Sequence, residues 1–267
     1  MDVKVKDLLV TSLDTVNAFG INGGVHRFEL DELQTLTIGN TQANDPLTGK
    51  GGRTLGQLKR NKAVTISGTN GMVSLGLIEA NLGAAGEHVK TLVRVPDYII
   101  ADSDAATTTN TAVGTVGNEI KEIFVKDADG LVLKTLTQDA TASTGKFSYD
   151  PATKKITFAA GDVDEGADLT MYYDRQVMGD VISNMSDNYS EKLEIYVDGT
   201  AEDKCKNIYR IQFKVPYADF TGNFDFAMGD SQTTQAFEAT SLASACGRGG
   251  TKFWDLTVFG LNAEDAA

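Results

Sequence analysis

Cysteine, histidine and proline are scarce in this chain: two Cys, two His and four Pro among 267 residues. Two cysteines cannot build a disulfide framework, and two Cys with two His cannot complete one ordinary zinc site without carboxylate help, so neither kind of staple holds the fold. No stretch of about 18 apolar residues occurs, which leaves no candidate for a membrane-spanning helix. The opening MDVKVKDLLV is charged every second or third residue, unlike the apolar centre of a signal peptide. The expectation is a soluble protein, made in the cytoplasm, with no membrane partner. Helix-forming residues are also thin outside short windows. What is present instead is Thr, 29 times, and Gly, 27 times, a bias toward strands and turns and a mainly β fold. The length allows one large domain or two small ones.

Along the chain, short apolar segments alternate with turn residues. Residues 3–9 alternate weakly and precede a turn-rich run at 17–24 (NAFGINGG). Phe28, Leu30, Leu33, Leu36 and Ile38 predict a strand ending near Gly39, and 63–68 another, with Val64 and Ile66 on one face. Between them, residues 40–62 are polar and Gly-rich and read as a long mobile arm. Met72, Leu75, Ile78 and Leu82 then recur every three or four positions. This predicts one helix over about 71–83, capped by Thr69 or Asn70 and ended by Gly83. Residues 89–100 form a further strand. The stretch 102–118, poor in large apolar residues, reads as a linker or lid.

Residues 119–176 are a run of hairpins that read as a small β-module set into the chain. Ile120, Ile123 and Val125 turn at 127–130 (DADG) into Leu131, Leu133 and Leu136. Phe147 and Tyr149 turn at 150–154, with Pro151 in the turn, into Ile156 and Phe158. Leu169, Met171 and Tyr173 alternate with Thr170, Tyr172 and Asp174 as in a half-buried strand. Late strands are expected at 193–197, 208–215, Phe224 and Phe226, 235–242 and 253–261.

Motifs for chemistry are missing. No G-x-x-x-x-G-K-[ST] or G-x-G-x-x-G occurs, and the Gly-rich runs 49–56 and 247–250 do not lead from a strand into a helix. Ser74, in GMVSLG, stands one residue too far from the first Gly for a nucleophile elbow and is expected mid-helix. His26 and His88 belong to no catalytic pattern. Cys205, between Lys204 and Lys206, is set as a reactive thiol would be, and Cys246 precedes Gly247 and Arg248, but no His is placed beside either. The acidic runs 127–129 and 162–168 miss the spacing of a calcium loop and read as turns. The sequons at Asn184 and Asn188 read as accidental. No catalytic, cofactor-binding or metal residue is assigned, and no cofactor is expected.

Charge is unevenly spread. The net charge is −13, with 37 acids against 24 Lys+Arg. Residues 162–203 hold twelve acids and two bases, while 50–62 hold five bases and no acid: Lys50, Arg53, Lys59, Arg60 and Lys62. An acidic surface disfavours nucleic-acid binding. Separated charge suits a head-to-tail contact in which the positive arm of one copy meets the negative surface of the next; a solvated acidic surface that only aids solubility is the plainer alternative.

Four features taken together resemble the major tail tube (tail structural) proteins of tailed bacteriophages and their prophage relatives. They are 62–70 (KAVTISGTN) leading into the helix at 71–83, the strand 209–216 (YRIQFKVP), the phrase 222–226 (GNFDF) and the late strand 235–241 (QAFEATS), with the long arm before Lys62. The resemblance covers most of 20–100 and 190–260, and 119–176 is no part of its minimal pattern. It implies a β-sandwich or small barrel with one flanking helix and a long inter-strand arm. That core would take residues 1–101 and 177–267, with the arm at 40–62 and an inserted β-module with its linker at 102–176. It implies a non-enzymatic virion tail subunit, made in the host cytoplasm, that stacks as hexameric rings into a hollow tube. Edge strands of neighbouring subunits would close the ring, and DNA would pass through an acidic lumen without binding. Lys50, Arg53, Lys59, Arg60 and Lys62 are the expected inter-subunit contacts. The partners would be further copies of the chain and the tape measure, sheath or tail terminator proteins.

Two other readings compete. One is a virion-surface carbohydrate-binding or adhesin β-sandwich, with 119–176 as the recognition module and Tyr149, Tyr172 or Trp254 as exposed aromatics on one face. The other is a hydrolase without a recognisable motif.

Overall fold

The computed structural model describes residues 7–21, 24–127, 129–225, 233–243 and 251–260. In chain order its elements are β1 (Leu9–Gly20), β2 (His26–Leu30), β3 (Leu33–Thr48), a single 3-10 turn (Lys50–Gly52), β4 (Thr54–Asn70), α1 (Leu75–Leu82), β5 (Glu87–Ile100), β6 (Ala105–Thr107), β7 (Ile120–Lys126), β8 (Val132–Gln138), β9 (Lys146–Asp150), β10 (Lys155–Phe158), β11 (Asp168–Val181), β12 (Lys192–Glu202), β13 (Ile208–Phe220), β14 (Gln235–Ser241) and β15 (Asp255–Gly260). The fold is mainly β with curled sheets, a β-sandwich or half-barrel.

The chain divides into two compact units, one of residues 1–86 and 182–267, the other Glu87–Val181. In the first, the sheet order is β2-β1-β12-β13-β14-β4-β3, with β15 added to β13. Strand β13 carries the sheet around a corner: Tyr209 to Lys214 pair with β15, while Ala218 to Phe220 pair with β14. Alternation along each strand sends Val16, Ala18, Ile66, Ile195, Val197, Val215 and Phe237 inward, where they meet Phe28, Leu30 and Phe220. Each such buried Val, Leu, Ile or Phe contributes about 1.5–3 kcal/mol relative to exposure.

The helix is shorter than the expected 71–83. Asn70 ends β4 and gives its side-chain amide to Met72 O (2.8 Å), so neither it nor Thr69 caps α1. Ser74, expected mid-helix, is the N-cap: its Oγ accepts from Leu77 N, and its own N–H goes to Gln235 Oε1 at 2.8 Å. Gly83 ends the helix as expected, in the left-handed conformation with φ 63°. Leu77 and Ala80 plug the core.

In the second unit the order is β5-β11-β7-β8-β9-β10-β6, with β8 and β9 parallel. The insert expected at 102–176 falls within this unit. Strands β5 and β11 pair along their whole lengths, from Ile100 opposite Asp168 to Glu87 opposite Val181. Leu169, Met171 and Tyr173 are buried as their alternation requires, together with Phe147, Ile156 and Leu136. The turns also form where expected: Asp127 Oδ1 accepts from the N–H groups of Asp129 (3.0 Å) and Leu131 (2.8 Å), and Gly130 takes φ 82°. Residues 102–118 are no linker. They include β6 and buried Thr108 and Ala112, and three backbone anchors hold them: Thr109 N to Asp97 Oδ2 (2.8 Å), Asn110 N to Tyr173 Oη (3.0 Å) and Ala112 N to Tyr149 Oη (3.0 Å). Phe224 lies outside any strand, and Phe226 falls outside the described residues.

Candidate assembly surfaces

Residues 40–62 are an ordered hairpin, not a loose arm. Strands β3 and β4 stay paired from Leu33 opposite Asn70 to Thr48 opposite Thr54, and the 3-10 turn closes the tip. Gly51 and Gly52 sit there at φ 81° and 77°, which side chains resist. Strand β14 covers only Val64 to Asn70 of β4. Residues 41–48 and 54–63 therefore project as a two-stranded ribbon, about 30 Å long at ~3.4 Å per residue. The sequence missed this because both faces of such a ribbon meet solvent, so no alternation marks it.

The ribbon holds all five predicted contact residues. Lys50 lies in the tip turn, Arg53 follows it, and Lys59, Arg60 and Lys62 lie on β4, all exposed. Arg60 pairs with Asp45 at 2.5 Å, and the Lys62 ammonium lies 5.5 Å from the centre of the Phe253 ring. Lys50, Arg53 and Lys59 make no ion pair with a described residue. Sequence reasoning did not single out the leucines of the same ribbon: Leu47, Leu55 and Leu58 are 54%, 66% and 48% exposed. An isolated two-stranded ribbon is marginal in water, and this one leaves three leucines exposed.

The outward face of β1, β12 and β13 is polar. Lys214 bonds Glu194 (2.5 Å) and the Tyr196 hydroxyl (2.8 Å), and the Glu194 carboxylate, followed by that hydroxyl, raises the lysine pKa above its usual value. Gln212 donates to Asp198 at 2.8 Å, and Arg210 holds Asp14. The margins of this sheet are unpaired among the described residues: β2 covers only Val16 to Phe19 of β1, and β15 has β13 on one side alone. Open margins are templates for another chain.

The residues with chemical potential are occupied or isolated. His26 lies 3.4 Å from Asn17 Oδ1 and edge-on to Phe19. His88 meets its cross-strand neighbour Asp180 at 2.6 Å. Cys205 is exposed at the tip between β12 and β13, where Asp203 gathers the N–H groups of Cys205 and Asn207; hydrogen bonds led by the Asn207 side chain hold that carboxyl below its usual range. Cys246 and Gly247 to Gly250 lie outside the described residues. Asp162 takes Lys134 and Gly145 N (2.7 Å), so it too is a turn anchor, and the Lys134 hydrogen bond lowers its pKa. Among the described residues, no three His, Cys, Asp or Glu side chains gather as a metal site. Of the aromatics, Tyr149 turns its hydroxyl to Ala112 N and Trp254 leans on Phe213 with ring centres 5.7 Å apart, just before β15 rather than within it. Tyr172 is 48% exposed, and the sequence reading overlooked Tyr98, 68% exposed on the adjacent strand.

A mainly β protein with a projecting two-stranded ribbon and open sheet margins is what these observations define. The model of the YomU/Tube protein family matches residues 26–254, and the chain belongs to that family. It is a phage tail tube family, which makes this chain a structural component of the virion tail. A search of curated proteins finds no match.

Proposed function

We propose that the chain is a non-enzymatic subunit that self-assembles into stacked rings, hexameric by expectation, forming a tail tube that conducts DNA without binding it. The observation that carries this reading is the ribbon: a projecting, leucine-bearing hairpin with five basic residues on a chain of net charge −13. Such an element is stabilised by a second copy whose surface is acidic. Open margins on β1 and β15 supply edges through which neighbours close a ring. The acidic balance keeps DNA from adhering. Copies of the chain are the main partners, with tape measure, sheath or terminator proteins at the tube's surfaces and ends, and synthesis takes place in the host cytoplasm. The test is the variant K50Q/R53Q/K59Q/R60Q/K62Q, examined by sedimentation and electron microscopy. Loss of polymer with an unchanged subunit fold is expected; normal polymer refutes the role of the five residues.

One observation favours a second reading, in which the second unit also binds glycans. Tyr98 and Tyr172 stand on one outward face of β5 and β11, two rungs apart, beside the Arg94–Asp174 pair (2.9 Å). Tyr149 does not join them, its hydroxyl being turned to Ala112 N, and Trp254 belongs to the other unit. Glycan-array binding that disappears in Y98A/Y172A, with assembly intact, would support it; an unaltered blank array would end it.

A further inference from the structure

The core of the first unit is open along one seam. Strands β1 and β3 approach each other across the curled sheet without pairing. Between them runs a groove of about 680 Å³ lined by Leu13, Leu36, Ile38, Val197, Phe213 and Trp254. Leu13, Leu36, Ile38, Phe213 and Trp254 pack against the closed core from beneath yet remain only half-buried. Uncharged polar residues, Ser12, Gln34, Thr35, Thr37 and Asn40, also line it. Trp254 Nε1 is held toward Asn40 Oδ1 at 3.4 Å, which fixes the indole as one wall. An open apolar trough marks a place where another apolar group is received.

The ribbon carries groups of the matching kind. Leu47 lies opposite Gly56, and Leu58 opposite Asp45, so Leu47 and Leu58 sit diagonally on one face of the hairpin, which they share with the small Gly56 and with Asp45, itself paired to Arg60. The chain cannot seat its own ribbon in its own groove. Residues 34–40 of β3 form a wall of the groove, and the same strand runs on, still paired to β4, to Thr48. Bringing Leu47 back to Ile38 would require tearing that ladder apart. A ribbon seated here therefore belongs to another copy, and a ribbon bearing five bases is drawn to a chain whose balance is −13.

We propose that the groove between β1 and β3 is the seat for the hairpin of a second copy, with Leu47 and Leu58 set against Leu36, Ile38, Phe213 and Trp254. The inference rests on the self-assembly reading and adds the receiving surface to it. Donor and acceptor patches are different surfaces of one chain, so the contact is heterologous and propagates from copy to copy.

Disulfide trapping tests it. In a C205S/C246S background, Leu58→Cys and Ile38→Cys are placed in one chain and oxidised after assembly. Within a chain these positions lie seven rungs apart along β3, roughly 24 Å at ~3.4 Å per residue, far beyond the reach of a disulfide. A ladder of covalent multimers on a non-reducing gel is expected. A monomeric product linking Ile38→Cys to an added Val5→Cys would put the chain's own N-terminus in the groove and overturn the proposal. No cross-link in material seen as tubes by electron microscopy overturns the seat alone; a parent that forms no tubes overturns the self-assembly reading and the seat with it. Because the leucines are exposed, L47S/L58S should leave the melting temperature unchanged while raising the concentration for half-assembly at least tenfold, and an unchanged assembly concentration would contradict the proposal.

Discussion

Replacing Tyr173 by Phe removes one oxygen from the middle of the second unit. That oxygen has two duties: it donates to Asp97 Oδ2 at 2.7 Å and accepts from Asn110 N at 3.0 Å. Asp97 also takes Thr109 N (2.8 Å) and Thr109 Oγ1 (2.7 Å), and both Tyr173 and Asp97 are buried. The ring of Phe fills the same space, so no cavity of consequence opens. The loss is the hydrogen bond to a charged group, about 1.5–3 kcal/mol, plus a stranded buried N–H at about 1–3 kcal/mol; the two overlap, and roughly 3 kcal/mol is expected for the variant. The effect should be local to 108–112, which have little apolar burial to hold them. Amide exchange at Thr109 and Asn110 should accelerate roughly a hundredfold, since about 1.4 kcal/mol is a factor of ten. The amide of Ala112, tied to Tyr149, should respond less. The readout is hydrogen exchange on the whole chain, with calorimetry beside it. Rates at Thr109 and Asn110 within threefold of the parent would refute the claim that this hydrogen-bonded knot fastens the segment.

The same tyrosine gives a pH window. Burial, then the bond to Asp97, pushes its pKa up to about 12. The folded state holds the proton more tightly than the unfolded chain, where the value is about 10. Its contribution is therefore intact below pH 10 and lost as pH rises from 10 to 12; denaturant titrations across that window should show the loss in the parent and a flatter curve in Tyr173→Phe. At the helix end, Gly83→Ala would place a Cβ 1.8 Å from Tyr189 O in a backbone already at φ 63°. The left-handed conformation alone costs roughly 1–2 kcal/mol, and with the clash a larger loss is expected by chemical denaturation; a change below about 0.5 kcal/mol would contradict the reading of this cap.

What the sequence disclosed followed from period and turn chemistry. Leu169, Met171 and Tyr173 alternate because one face of β11 is buried, and 127–130 (DADG) forms the turn its Asp and Gly favour. Gly83 could be placed because no other residue ends a helix so readily in the left-handed conformation. The N-cap was misplaced because Asn70 is as good a cap by type as Ser74; pairing of β4 with β14 settles the choice by carrying strand through Asn70. The segment 102–118 looked like a linker because hydrogen bonds to Asp97, Tyr149 and Tyr173 hold it, and these leave no hydrophobic trace. The basic residues of the ribbon were visible as a charge run. Their division into engaged Arg60 and Lys62 on one side and Lys50, Arg53 and Lys59, which make no ion pair with a described residue, on the other depends on Asp45 and Phe253, which only folding brings near. The seam groove draws on β1, β3, β12, β13 and Trp254, too scattered along the chain for any window of sequence to reveal.

Negative-stain electron microscopy of the purified chain, over a range of protein concentration and ionic strength, tests self-assembly most directly. Hollow tubes or stacked rings, with six-fold end views, are the predicted images. Monodisperse single subunits under every condition would contradict it.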